Sequence, residues 1–475
     1  MVLGELIVTV YSYLAKNLFT IVILCLLQAY LILSKTGAAS FMSAFLSFLQ
    51  YANRFLWGGP LLLFLLFSHG YFSWKTNFIQ KKLPKALHLS VSNEKKEGGL
   101  GAFASLATTL AATLGTGNII GISTAVAFGG PGAVFWCWIT GLLGMATSYA
   151  ECFLSLRFRK KRNDGTYLGG PMYIMKNQLN APKLARFYAI LLLLSSFCVG
   201  CSTQSQAVTD TLHTLFDLPP VFTGLCLTIV VALVLLGGFA GIGTICTWLV
   251  PAMGVFYLVC CVILLIFHIE YLLDAITLII TSAFSTSSVT GGLFGSSLLL
   301  SARYGIARGL FTNEAGLGSA PVAAANSSGE PNRQSLVLMS ATFWDTVVMC
   351  GITGIVIVSA GMASPGIFAG CSAGDYTFAA FSLLPFSGEK LLGISIVLFA
   401  IATLLGWSFF GEKATEFLFG NELTTTYRIL YCAMIFLGSQ MTLTVVWELS
   451  DFFNAIMVIT NMGCLFALRN YITPN

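Results

Sequence analysis

Between Leu106 and Phe128 the chain is apolar and long enough to cross a bilayer, yet its centre reads Leu114-Gly115-Thr116-Gly117-Asn118. Two glycines and two small polar residues at that depth interrupt a helix. Backbone groups freed in hydrocarbon find no partner there, so the interruption must face protein or a wet cavity. The rest of the chain fits a membrane setting: 56% of its 475 residues are hydrophobic and 9% are charged, which excludes an ordinary soluble domain. The apolar runs reach the ~20 residues a spanning helix needs, whereas a transmembrane barrel shows short alternating segments. The fold class expected is an all-α polytopic membrane protein.

Residues 1–50 form an N-terminal extension. Lys16, the apolar run Leu18 to Leu33 and the small residues after Ser34 have the order of a signal peptide, but the run is long for one, so an extra helix is expected. Residues 51–97 hold a helix from Phe55 to Phe78 and a basic linker with Lys81, Lys82 and Lys85. From Gly98 ten apolar segments follow, at about 102–128, 131–157, 185–215, 220–238, 247–268, 272–300, 335–362, 391–418, 427–446 and 449–468. With the first starting inside, the basic run Arg157 to Arg162 falls inside, together with Lys176, Lys183, Arg186, Arg303, Arg308, Arg333, Lys413, Arg428 and Arg469. The opposite loops at 210–220, 268–274 and 361–388 carry no Lys or Arg, so count and orientation agree. That basic run marks topology and implies no nucleic-acid partner.

Splitting the ten segments into 98–268 and 269–475 puts the broken helix at 113–118 first in one half. The first segment of the other half is also rich in Gly and Ser, near 286–297. Interruptions at matching positions point to an inverted-repeat transporter with its site at the midplane. At the first break the freed N–H groups of Gly115 to Asn118 and the positive end of the next half-helix attract an anion such as a carboxylate, with Thr116 and Asn118 as neutral hydrogen-bonding groups. Tight packing of small residues is the alternative use of such glycines.

Rival classes lack their parts. The 4 histidines, His69, His88, His213 and His268, fall near segment ends, leaving no midplane catalytic dyad or paired-His metal site. No phosphate-binding Gly-x-x-x-x-Gly-Lys-Ser/Thr loop is present, and the Gly115, Gly117, Gly121 spacing lacks the strand a dinucleotide site needs. The 13 cysteines are scattered through apolar runs and read as small buried hydrophobes. Among ionisable residues, Glu151, about two turns from Arg157, is expected to snorkel or to pair with a cytoplasmic Arg, with a proton-relay role for Glu151 or Asp345 as the alternative. Glu448 and Asp451 begin the last segment, and Asn313 and Glu314 are assigned to an inner gate or to loop packing.

Several long motifs carry a family resemblance. They are Ala112 to Ile119, Gly129-Gly130-Pro131-Gly132-Ala133-Val134-Phe135-Trp136, Gly169-Gly170-Pro171-Met172-Tyr173, Arg303 to Pro321 and Leu405 to Lys413. In that order, from about Phe55 to Arg469, the chain resembles the sodium:alanine/glycine symporter family. The resemblance implies a LeuT-type five-plus-five inverted repeat with one or two extra N-terminal helices, in the inner (cell) membrane, importing alanine or glycine with sodium. It further implies that Gly115, Thr116, Gly117, Asn118, Gln206 and Trp407 bind the amino acid, and that Ala111, Leu114 and Thr403 provide oxygens to sodium. No organic cofactor or protein partner is implied, only the solute, the ion and the lipid bilayer. The chain departs from the family at Ala402, where a hydroxyl is usual, at Val208, where Asn is common, and at Gly241-Ile242-Gly243, which replaces a basic loop. These departures leave open a proton-coupled carrier, or one selecting serine or glutamine.

Overall fold

The structure, a computed structural model, describes residues 38–91, 101–162, 167–285, 298–385, 387–441 and 443–473. Helices α1 (Ala38–Leu56) and α2 (Pro60–Lys75) meet at a 44° bend. A Cβ on Gly58 would fall 2.3 Å from Arg54 O, and Pro60 has the fixed φ of a first helical turn, so the bend is written into the sequence. Residues 38–50 therefore belong to α1, while the signal-like stretch before residue 38 lies outside the described residues.

After α3 (Leu83–Val91) comes the expected broken helix. Its halves α4 (Ala102–Thr113) and α5 (Ile120–Gly129) sit on either side of a tight turn, with a 64° change of direction. The first half of the core continues through α6 (Gly132–Phe158), the two-stranded hairpin β1 (Lys160–Lys161) and β2 (Tyr167–Leu168), and α7 (Pro171–Asn177). It then runs through α8 (Pro182–Phe197), joined by a π turn to α9 (Thr203–Phe216), and on to α10 (Pro220–Leu236) and α11 (Gly238–Phe267). The second half holds α12 (Leu272–Ser282), α13 (Leu298–Asn313), α14 (Ala320–Ala324), α15 (Pro331–Thr342), α16 (Gly351–Ala363) and α17 (Tyr376–Ser382). It ends with α18 (Gly388–Phe419), α19 (Thr424–Gly438) and α20 (Leu443–Ala467). Among the described residues six continuous helical stretches and two bent pairs are apolar and long enough to span; α10, α13 and α19 are shorter.

The Gly- and Ser-rich stretch 286–297 lies outside the described residues. The interruption that is described in the second half falls later, at Glu314–Ser319 between α13 and α14. There Glu314, Gly316 and Gly318 have φ of 55°, 98° and 85°. The chain thus leaves the helix by left-handed steps that suit glycine.

Small residues bring α13 onto α6. A Cβ on Gly305 would lie 2.3 Å from Ala133 O, and one on Gly309 would lie 3.2 Å from Thr140 Cβ, so the axes approach as far as backbones allow. This contact also orients α13. Its residues 305 to 309 run alongside 133 to 140 of α6 in the same direction, and Ser301 donates to Gly129 O at 2.6 Å. Arg303 and Arg308 therefore lie toward the outer end, opposite Arg157 to Arg162, which corrects the inner assignment. Partners offset the charge of Arg308: its guanidinium lies 4.7 Å from the Trp447 ring and 3.4 Å from Asp451. The other basic residues do gather at the inner end, where Arg428 is 2.7 Å from Glu412, Lys413 is 2.8 Å from Glu416, and Arg162 also meets Glu416.

Candidate functional site

Helix α4 ends where the Gly115 N–H leaves the helical ladder for the Asn118 side chain, and a Cβ at Gly115 would meet Thr403 Oγ1 at 2.7 Å. One 3₁₀ turn, Thr116–Asn118, then reverses the chain into α5. The Asn118 carboxamide ties the turn together. Its Oδ1 accepts from Gly115 N–H at 3.0 Å, while its Nδ2 donates to Asp345 Oδ1 at 2.7 Å and to Asp345 O at 3.1 Å. Thr116 N–H donates to Gln204 Oε1 at 3.2 Å, and Thr403 Oγ1 donates to Leu114 O at 3.2 Å. The amides read from sequence as open to an anion are therefore largely held by side chains in this state. The Thr116 hydroxyl is buried and, among the described residues, has no hydrogen-bond partner.

A π-helical segment bears on each reaching side chain, its wider turn shifting side chains off the regular helical stripe. One segment, Cys198–Ser202, precedes Gln204; the other, Phe343–Cys350, carries Asp345. Thr346 Oγ1 donates to Asp345 Oδ2 at 2.7 Å, and Thr312 Oγ1 lies 3.4 Å from Thr346 Oγ1. Asp345 is thus a fully buried carboxylate fenced by an amide and hydroxyls. From the opposite flank Phe311 closes on Gly117, where a Cβ would meet its ring at 3.0 Å.

One turn beyond Thr403, Trp407 is fully buried, with its Cβ against Gly200. Its Nε1–H donates to Glu314 Oε1 at 2.9 Å, which joins α18 to the second interruption. Ser319 also donates to Glu314. Tyr188 OH donates to Leu317 O at 2.8 Å, and Asn461 Nδ2 donates to Gly316 O at 2.9 Å and to Glu151. Glu151 therefore binds the second interruption through Asn461 and does not pair with Arg157, whose Nη1 donates to Tyr471 O at 2.9 Å. The sequence expectation for Glu151 fails because its side of α6 faces α20 and the loop.

Of the sequence-derived set, Leu114, Gly115, Thr116, Gly117, Asn118 and Thr403 come together at the first break. Ala111 is fully buried on the preceding turn of α4, and Trp407 stands apart on the inner side. Gln206 lies on the other side of α9 from the break contact made by Gln204. It lines a cavity of about 590 Å³ between α9, α17 and the start of α18, at the outer end. Gln204 and the direct Asp345 contact were missed. A polar pattern, Thr203-Gln204-Ser205-Gln206, signalled the first without saying which glutamine faces inward.

The sequence profile of the sodium:alanine symporter family matches residues 42–474. The sodium/alanine symporter AgcS of Methanococcus maripaludis is 39% identical over 438 residues, covering 90% of this chain and 96% of that one. The putative sodium/proton-dependent alanine carrier protein YrbD of Bacillus subtilis is 31% identical over 449 residues, covering 89% and 92%. Among solved structures, MhsT in complex with L-phenylalanine aligns with a TM-score of 0.58 at 14% identity, over 79% of this chain and 90% of that one, a likeness of fold. With its paired helix interruptions and its matched length, the chain belongs to the sodium:alanine symporter family, as a multi-pass integral membrane transporter of LeuT-type fold and not an enzyme.

Proposed function

We propose that the protein imports a small neutral amino acid, alanine or glycine, together with sodium. The observation that carries this reading is the buried Thr116 hydroxyl, unpartnered among the described residues, inside a helix break at the centre of a span. A buried hydroxyl without a partner is destabilising by about 1–3 kcal/mol, and a bound carboxylate removes that deficit. The carboxylate would take the hydroxyl and displace Gln204 from Thr116 N–H. Gly115, Gly117 and Asn118 complete the cradle, with Gln206 on the approach and Trp407 as the aromatic wall on the inner side. Phe311 against Gly117 forms a close aromatic wall that suits a small side chain.

Sodium would sit beside Leu114 O and Thr403 Oγ1, joined by the Ala111 carbonyl one turn earlier. The hydroxyl that now donates to Leu114 O would turn to offer its lone pair. Ion and solute drive the cycle only by binding one state better than the other. The outer cavity and the inner Trp407–Glu314 contact suit a state open to the outside. Uptake of labelled alanine into proteoliposomes, under a sodium gradient and under a proton gradient separately, tests the reading. Sodium-driven accumulation supports it, and absence of alanine uptake under both overturns it.

One observation favours a second reading. Asp345, buried and in contact with Asn118, has no cationic partner within ion-pair distance among the described residues. A carboxylate at that depth is expensive unless a proton or cation joins it. Alanine accumulation driven by protons alone, and lost in Asp345→Asn, would make Asp345 the coupling group.

A further inference from the structure

Phe311 bounds the first break, since a Cβ on Gly117 would meet its ring at 3.0 Å. What fixes that ring comes from α20. Trp447 lies over it, with centroids 4.7 Å apart and planes tilted by 31°, and both side chains are buried. One turn past Gly117, a Cβ on Gly121 would lie 3.9 Å from Trp447 Cη2, so the indole also reaches α5. The Arg308 guanidinium sits 4.7 Å from the Trp447 centroid and 5.9 Å from that of Phe311, with Asp451 at 3.4 Å. A cation shared by two rings and a carboxylate leaves the aromatic pair little freedom. The stretch of α20 that carries Trp447 is in turn held by a helix that precedes the ten-segment core. Asn53 of α1 donates through Nδ2 to Glu448 Oε2 at 2.6 Å and to Glu448 O at 2.8 Å, and Trp57 Nε1–H donates to Asp451 O at 3.3 Å. Phe48 meets Phe452 edge to face at 6.2 Å. Asn53 and Trp57 are buried, so these bonds are shielded from water. A further tie runs to α9, where Ser450 Oγ lies 3.1 Å from Thr203 Oγ1.

We propose that Trp447 sets the size of solute the first break accepts: it holds Phe311 against Gly117, and α1 holds Trp447 by fixing residues 448–451. The inference rests on the proposed alanine or glycine site and names what limits the solute there. Phe311 can yield to a longer solute side chain only by moving its ring, and over one face the indole fills the space such a movement needs. Removing the indole leaves a void that the Phe311 ring can enter, because a packed core relaxes in part around a large-to-small change. A pocket that gains room for one methylene stops rejecting one methylene, a difference of about tenfold or more in binding. Trp447 acts through Phe311 and is therefore a positioning residue. Asn53 and Trp57 act one step further back, which gives the helix outside the core a part in solute selection.

The test is competition against labelled alanine on the purified full-length protein in detergent at saturating sodium, using alanine, 2-aminobutyrate and norvaline, whose side chains lengthen one carbon at a time. The quantity read is the ratio of norvaline to alanine half-inhibition concentrations, which a partial loss of folded protein does not move. Trp447→Leu should lower that ratio about tenfold, with 2-aminobutyrate in between and alanine itself moving by less than about threefold. Trp447→Phe keeps a ring over Phe311 and should stay within about twofold of the parent ratio. Asn53→Ala removes the hold of α1 on Glu448 while leaving Trp447 in place, and should lower the ratio about threefold. A parent ratio in Trp447→Leu, an equal loss of affinity for alanine and norvaline in it, or equal binding of the two by the parent overturns the proposal. Where Trp447→Leu yields no folded protein, Asn53→Ala carries the test alone, and a parent ratio there overturns it. A parent that binds no alanine brings down the solute reading and this inference together, whereas bound alanine with unchanged ratios brings down this inference alone.

Discussion

The two described helix interruptions, one in each half of the core, are held in different ways. The first, Leu114 to Asn118, is tied within itself by neutral groups, the Asn118 and Gln204 carboxamides and the Thr403 hydroxyl, meets one buried carboxylate, Asp345, only through Asn118, and has one buried hydroxyl without a partner among the described residues. The second, Glu314 to Ser319, is clamped by buried carboxylates and their donors from four helices. Neutral groups exchange partners at small expense, whereas a buried carboxylate released from its donors is destabilising by several kcal/mol. The difference bears on the proposed function: on that reading the first break is the one able to rearrange around a ligand, and the second is the one expected to hold the inner side shut.

The largest expected effect comes from Asn118→Ala. It removes the partner of Gly115 N–H and the donor to Asp345 Oδ1, each loss destabilising by about 1–3 kcal/mol, so alanine binding should weaken by about a hundredfold or more. Equilibrium binding and initial uptake rates, checked against an unchanged gel-filtration profile, measure it. Parent-like uptake would erase the distinction between the two interruptions.

Trp407→Phe tests the other side of the comparison. It keeps the ring but removes the N–H to Glu314, a charge-assisted bond of about 1.5–3 kcal/mol. Loss of this clamp should lower uptake by about tenfold through a leaking or misplaced inner gate, with alanine binding changed by no more than about twofold. A matching loss of binding would mean that Trp407 acts in the solute site itself. Gln204→Leu should have a smaller effect of either sign, within about fivefold in alanine half-saturation, because on the proposed reading the solute carboxylate replaces Gln204 at the Thr116 N–H. Gln206→Leu should change alanine half-saturation less than Gln204→Leu does.

What the sequence disclosed follows from where hydrocarbon physics is strict. A Gly-Thr-Gly-Asn run at midspan has few fates, so the first break was legible to the residue. Arg303 and Arg308 were placed inside because the charge rule counts residues without knowing that Asp451 and Trp447 receive one of them. The choice between Gln204 and Gln206 was not legible either, since the π turn at Cys198–Ser202 shifts which side chain of α9 meets the break. Asp345 was recognised as expensive, but its contact with Asn118 joins residues 227 apart, and no local pattern encodes it.

Thr403→Ala is the finest probe, because it asks whether the first break also serves the ion. With Ala402 beside it, Thr403 supplies the hydroxyl that α18 brings to Leu114 O. Its hydroxyl also lies 2.7 Å from where a Cβ on Gly115 would fall, so shortening the side chain loosens the fit against the turn while removing an oxygen. If sodium uses that oxygen, half-maximal uptake should require about fivefold more sodium, the loss of one hydrogen-bond-sized contact, while half-saturation by alanine at saturating sodium stays put. Thr403→Ser keeps the oxygen and drops the methyl, so it should restore the sodium curve. A rise in both variants would assign the effect to packing by the Thr403 methyl, and no rise in either would remove Thr403 from the ion site, making Asp345 the side chain to test next.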